Sequence, residues 1–248
     1  MRESPTSPAV RIGTSGWNYS HWRRLFYPQG LNQSEWLPFY AKHYDTVEIN
    51  ATFYRLPEAR HVDRWRQATP GRFVFAIKGS RYLTHMKRLA DTGEPLDRFL
   101  DLVSHLDEKA GPVLWQLPPR MGRDDERLAA FAGALPGDVR HAFEFRNPEW
   151  YDASVYGILE RAGAALCIPD HPDYPREMIF TADWTYIRLH YGSLDGCYSM
   201  DELKSWAGRI EALTSQGADA YIYFNNDWNG HALANAMALK GMLGAAKA

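Results

Sequence analysis

Apolar residues along this chain follow two rhythms that take turns. Short runs rich in β-branched and aromatic residues, spaced for strands, cover residues 10–13, 46–49, 73–78, 113–116, 139–145, 165–168, 186–190 and 220–224. Longer stretches between them have helical spacing. Leu96, Phe99, Leu100, Val103 and Leu106 form one stripe, and Leu203, Trp206, Ala207, Ile210 and Leu213 form another. Pro57 and Pro95 stand where helices could begin, and Ser199 with Glu202 reads as a capping box. Eight strands in 248 residues leave about 31 residues per unit, the size of a βα repeat. Strands alternating with helices imply a parallel sheet, and eight such units imply an α/β fold of the (β/α)8 TIM-barrel type. A doubly wound open sheet is the rival, but no GxGxxG follows the first strand. One domain is expected over 10–248, with a loose tail over 1–9. Residues 169–183 read PDHPDYPREMIFTAD, too proline-rich for a full sixth helix, so an irregular or missing helix is expected there.

Composition narrows the class. A 45% hydrophobic share suits a chain with a sizeable core, and 28 basic against 30 acidic residues disfavour a nucleic-acid coat. No apolar run is long enough to cross a membrane, and the opening MRESPTSPAV lacks an apolar signal core. Cys167 and Cys197 are too few for a disulfide framework and lack metal-ligand spacing. A cytoplasmic protein is the expectation.

Barrels bind ligands at the C-terminal ends of their strands, and here those ends are polar. Thr14, Ser15, Gly16 and Trp17 follow the first strand. Glu48 and Asn50 close the second, Lys78 the third and Gln116 the fourth. Glu144 and Arg146 finish the fifth, Asp170 follows the sixth, Arg188 and His190 end the seventh, and Asn225, Asn226 and Asp227 follow the eighth. The pairs Glu48/Asn50, Glu144/Arg146 and Arg188/His190 are two residues apart, so each pair shares one face of its strand, and Ile49, Phe145 and Leu189 face the helices. Buried charges need partners, and two glutamates among Lys78, Arg146 and Arg188 can supply them. A purely structural barrel plug is the competing reading.

The segments GTSGWNYSHWRRLFYP, TVEINATFYRLP, FVFAIKGSRYLTH, GPVLWQLPPRM, FEFRNPEW, YIRLHYG and YIYFNNDWNGHALANA occur in this order. This series resembles the signature blocks of the YecE-like family, a domain of unknown function with a TIM-barrel fold, over roughly residues 11–243. The resemblance implies the barrel and marks Gly16, Trp17, Glu48, Asn50, Phe53, Tyr54, Lys78, Gln116, Pro118, Glu144, Arg146, Arg188, His190, Asn225, Asn226 and Asp227 as family-typical. It supplies no reaction. One departure is Tyr191, which stands between His190 and Gly192 where the family pattern has glycine directly after the histidine.

The leading expectation is an enzyme (a hydrolase, lyase or isomerase) acting on a small polar or anionic, sugar- or phosphate-bearing substrate by acid/base chemistry. Glu48, Lys78, Glu144 and His190 are the candidate catalytic residues. Thr14, Trp17, Asn50, Tyr54, Gln116, Arg146, Asp170, Arg188, Asn225 and Asn226 are the candidate substrate-binding residues. Two alternatives stand beside it. The first is a metal-dependent phosphoesterase or nuclease using Glu48, Glu144, Asp170 and His190, which Lys78, Arg146 and Arg188 would oppose by repelling a cation. The second is a non-catalytic binder of oligosaccharide or nucleic acid using an aromatic rim that includes Trp17, Trp22, Phe26, Tyr27, Tyr54, Trp150 and Trp228. No cofactor is required by the sequence, and no metal ligand is assigned. Nucleic acid is a disfavoured partner at near-neutral charge.

Overall fold

Pairing between successive parallel strands organises the molecule. The computed structural model describes residues 8–245. Its strands are β1 (Val10–Thr14), β2 (Thr46–Ile49), β3 (Val74–Lys78), β4 (Ala110–Gln116), β5 (His141–Glu144), β6 (Ala165–Asp170), β7 (Trp184–Leu189) and β8 (Asp219–Phe224). They form one sheet in which each strand from β2 to β8 lies beside the next, and β8 then pairs with β1. A single bridge between Ser15 and Glu48 joins β1 to β2 and brings the sheet nearly to closure. The result is the expected TIM-barrel-like architecture. Of the expected tail, residues 1–7 lie outside the described residues. Ala9 is already tied to β8, accepting from the Ala220 N–H at 2.9 Å.

Helices α1 (Trp36–Tyr40), α2 (Ala51–Tyr54), α3 (Ala59–Gln67), α4 (Gly93–Ser104), α5 (Asp125–Gly133), α6 (Ala153–Arg161), α7 (Met200–Thr214) and α8 (His231–Ala245) connect the strands. The stripe of α7 is buried as spaced, and the Ser199–Glu202 capping box is present. In α4, Leu102 is buried where the spacing pointed to Leu100, which is half-buried. Between β6 and β7 no helix forms among the described residues. Residues 171–183 instead run as a loop, stitched down by Thr181, whose hydroxyl donates to the Ala164 carbonyl at 2.6 Å and accepts from the Leu166 N–H at 2.8 Å. No described helix is long and apolar enough to cross a membrane.

Side-chain alternation divides the interior into two compartments. Ile12, Val47, Ile49, Ile77, Phe143, Phe145, Ile168 and Leu189 face the helix layer. Inside the barrel, the aromatic residues Trp184, Tyr186, Tyr221 and Tyr223 of β7 and β8 pack against Ala76, Leu114, Ala142, Ala165 and Cys167 of β3 to β6. Large residues on one wall meet small ones on the other, so the lower barrel is filled and not a pore. Arg140 closes the bottom, pairing with Asp219 at 2.7 Å and lying over Trp184.

The β1–β2 seam depends on Gly13, where an added Cβ would sit 2.3 Å from the Thr46 carbonyl oxygen. That contact is to backbone and cannot be relieved by a rotamer change. Gly13→Ala is expected to open the seam at a cost of about 1–3 kcal/mol. For a domain of this size that corresponds to a fall of roughly 3–10 °C in Tm by calorimetry.

Candidate active site at the barrel mouth

The upper lumen is polar because the strand ends place charged residues at lumen-facing positions. Arg188, fully buried on β7, is its centre. Its Nε and Nη2 donate to the two carboxylate oxygens of Glu48 at 3.0 and 2.8 Å, and its Nη1 donates to Glu144 Oε2 at 2.6 Å. Tyr186 Oη donates to Glu48 Oε2 at 2.7 Å. Arg146 extends the chain, with Nε donating to Glu144 Oε1 at 2.9 Å and Nη2 to Gln116 Oε1 at 3.0 Å. Residues of four strands, β2, β4, β5 and β7, therefore meet in one charge-assisted network.

These contacts set the protonation states. Burial alone would raise both carboxyls, but Arg188 together with Lys78 and Tyr186 at Glu48, and with His190, Arg146 and Lys78 at Glu144, more than reverses it. Both are held ionised, Glu48 below and Glu144 well below the usual carboxylate range. For Lys78 it is the neutral form that gains: burial and the Arg188 guanidinium outweigh the pull of Glu144 and Glu48 and lower it to about 8. Its Nζ lies over the Phe53 ring at 4.3 Å and forms no ion pair with any carboxylate among the described residues. Burial and Arg188 also hold His190 well below the usual histidine range, so the ring is neutral. Its Nδ1 accepts from Asn225 Nδ2 at 3.1 Å, which puts the ring proton on Nε2. That Nε2 is buried without a hydrogen-bond partner among the described residues, 3.9 Å from Glu144 Oε2.

Of the residues singled out from sequence, Glu48, Lys78, Gln116, Glu144, Arg146, Arg188, His190 and Asn225 are brought together here. Asn50 stands at the edge, its Oδ1 buried and unpartnered. Trp17 and Tyr54 line a cleft beside the mouth. Three residues lie elsewhere. Thr14 faces the helices, its hydroxyl 2.9 Å from Tyr40 Oη of α1. Asp170 likewise turns outward, accepting from Trp206 Nε1 of α7 at 2.8 Å and pairing with Arg176. Asn226 braces loops, donating to the Gly196 carbonyl at 2.9 Å and to Asn235 Oδ1 at 2.8 Å. The physical reason is shared: each is one residue off the lumen-facing register of its strand. Without Asp170, the four-residue metal set is not assembled. No group of three or more His, Cys, Asp or Glu suited to a metal occurs among the described residues. Trp22, Tyr27 and Trp150 are buried packing residues and not an exposed rim.

Sequence reasoning missed Tyr186, His85 and Tyr174, and took His171 only as a possible metal ligand. Tyr186 was accessible to it, since it shares the register of Arg188 and His190. His85 packs against Phe53 at 5.0 Å and is lowered to about 4 by burial and by Lys78. Tyr174 carries Arg146 over its ring at 4.9 Å, and His171 meets His190 edge-on at 5.8 Å. No local pattern announced either contact.

Fold and site together define a TIM-barrel-like protein whose C-terminal mouth holds a buried arginine–glutamate network. A family model described as "Protein of unknown function DUF72" matches residues 11–248, and the chain belongs to this family. The UPF0759 protein YunF of Bacillus subtilis is 26% identical over 91% of this chain and 92% of its own length. The UPF0759 protein YecE of Escherichia coli K12 is 32% identical over 57% of this chain, a match spanning 50% of YecE. The crystal structure of a DUF72 family protein from Thermotoga maritima superposes with a TM-score of 0.86 at 28% identity, covering 95% of this chain and 99% of that one. One from Enterococcus faecalis, at 22% identity and a TM-score of 0.77 over 95% of each chain, shares the fold.

Removing Arg188 would leave two ionised carboxylates buried without their counter-charge. Arg188→Met is expected to cost about 3–5 kcal/mol in urea unfolding, against less than about 1 kcal/mol for Lys204→Met at the exposed Lys204–Asp201 pair. The acid limb has a defined sign. Glu48 and Glu144 are depressed when folded, so their contribution is complete above the unfolded value of about 4.3 and is lost as pH falls below it. Replacing both by Gln in the Arg188→Met background should flatten that limb.

Proposed function

We propose that the barrel mouth is the active site of an enzyme acting on a small anionic or strongly polar substrate by proton transfer. The observation carrying this reading is the charge pairing: two carboxylates face three cations, and Lys78 is the one left without a carboxylate partner. A surplus ammonium in a partly dehydrated cup attracts an anion, because attraction grows as the effective dielectric falls. With its proton released at about pH 8, Lys78 is far better matched to proton transfer at neutral pH than an ordinary lysine. Lys78 is the acid that protonates the substrate and recovers the proton later. His190, neutral, presents Nε2–H as a fixed donor to a substrate oxygen. Arg146, partly exposed at its side chain, contributes a second positive contact, and Asn225 holds the His190 tautomer. Glu48 and Glu144, consumed by Arg188, act as positioning residues and not as proton carriers. Hydrolysis, elimination and isomerisation all fit this donor set.

Thermal-shift screening against phosphorylated and carboxylated metabolites, with uncharged analogues alongside, tests the reading. Anionic compounds should stabilise the wild-type protein and lose that effect in Lys78→Met. Equal stabilisation of Lys78→Met, or a preference for uncharged analogues, would refute it. Turnover of a compound so found should fall as pH rises through about 8. Stability should move oppositely. Between about 8 and 10.4 the unfolded chain keeps the lysine proton that the folded chain has released, so stability rises with pH across this window. Around Lys78 the charged groups are Glu48, Glu144, Arg146 and Arg188, with His85 neutral. Lys78→Met should therefore gain about 1–3 kcal/mol at pH 7 and lose the alkaline rise.

A further inference from the structure

A cleft lies beside the mouth, with Asn50 in its wall. It occupies about 490 Å³ between the loop after β1 and helices α2 and α3, a volume within the usual range for small-molecule sites. Its walls carry Trp17, Tyr54 and Trp65, with Asn18, Gln33 and Asn50 among the polar groups. Asn50 links the two spaces. It stands two residues beyond Glu48, just past the end of β2 where α2 begins, and it also forms part of the cleft wall. Its buried Oδ1 has no partner among the described residues, an arrangement that leaves an acceptor waiting for a donor.

The geometry points to a bipartite site in which this cleft holds the ring of an anionic sugar whose phosphate or carboxylate reaches Lys78 at the mouth. This rests on the reading of the mouth given above and adds the substrate class to it. Three observations select a sugar ring over a nucleobase. Trp17 and Trp65 meet edge-to-face, with centroids 5.4 Å apart and planes at 85°, so they form a corner and not the parallel slot that would sandwich a flat base. A saturated ring needs one aromatic face for its C–H groups, which a corner supplies. His61 and Arg64 also line the cleft, while the amides of Asn50 and of the hydrogen-bonded pair Asn18–Gln33 are neutral groups able both to donate and to accept, matching the hydroxyls around a sugar. Finally, Tyr54 is 78% exposed, and neither indole N–H of Trp17 and Trp65 donates a hydrogen bond among the described residues, so ring faces and donors are free for a ligand.

The test titrates the full chain with hexose and pentose phosphates, uronates, a neutral methyl glycoside, nucleoside monophosphates and inorganic phosphate. Tryptophan fluorescence and calorimetry are the readouts, on wild type, Tyr54→Ala, Asn50→Ala and Lys78→Met. Tyr54 is too exposed for its loss to unfold the protein. At least one sugar phosphate or uronate should bind at least tenfold more tightly than inorganic phosphate. That advantage should shrink at least fivefold in Tyr54→Ala and Asn50→Ala while phosphate binding stays unchanged. Phosphates binding and uronates failing would assign the anion as phosphate, the reverse as carboxylate, and either supports the proposal. Nucleoside monophosphates binding more tightly than every sugar, or Tyr54→Ala leaving sugar affinity intact, would overturn it, as would no compound binding better than phosphate. Sugar affinity indifferent to Lys78→Met would overturn the mouth reading instead, and with it the bipartite arrangement, leaving a neutral-sugar cleft.

Discussion

A guanidinium with no exposure to solvent sits between two carboxylates, and most of the upper barrel is arranged to make that tolerable. Taking Arg188 out of water costs several kcal/mol by itself, and Glu48 and Glu144 each carry a comparable penalty. The offset requires near-ideal geometry: a two-point contact to Glu48, one to Glu144, and a phenol from Tyr186 on the remaining lone pair. Such geometry can be met only if β2, β5 and β7 keep their mutual register. The network therefore selects one arrangement of the barrel more than it adds net stability.

The same pairing decides what is left over. Because Arg188 absorbs Glu48 and part of Glu144, and Arg146 takes the rest with Gln116, the amine of Lys78 has only an aromatic face beneath it. The cations that lower its proton affinity also keep His190 uncharged. A filled lower lumen and a charged upper lumen thus follow one from the other. Aromatic bulk from β7 and β8 excludes water below, and that dehydration makes the charges above it strong.

The missing sixth helix has a consequence at the same place. In its stead, residues 171–183 form a loop whose start carries His171 and Tyr174 over the mouth, one beside His190 and the other beneath Arg146. An ordinary helix would have carried this stretch of chain down the outside of the barrel. The unit gives up helix packing there and gains a wall for the cup. On the opposite side, the short α2 and α3 leave room for the aromatic cleft.

Much of this was legible in the residues alone. Alternating rhythms were sufficient for eight strands and their order, because apolar periodicity is imposed locally by the pleat and by the helical turn. Proline density foretold the absent helix. Two-residue spacing brought Glu48, Glu144, Arg146, Arg188 and His190 to the mouth and Asn50 only to its edge, whereas Thr14, Asp170 and Asn226 fell one position out of register and turned away from it. What local pattern could not reach was partnership: which carboxylate Arg188 would take, that Lys78 would be left alone, that Tyr174 would cross to Arg146. Those choices span up to 140 residues of chain, as between Glu48 and Arg188. They are decided by distance and dehydration inside the closed barrel, quantities that exist only once all eight strands are in place.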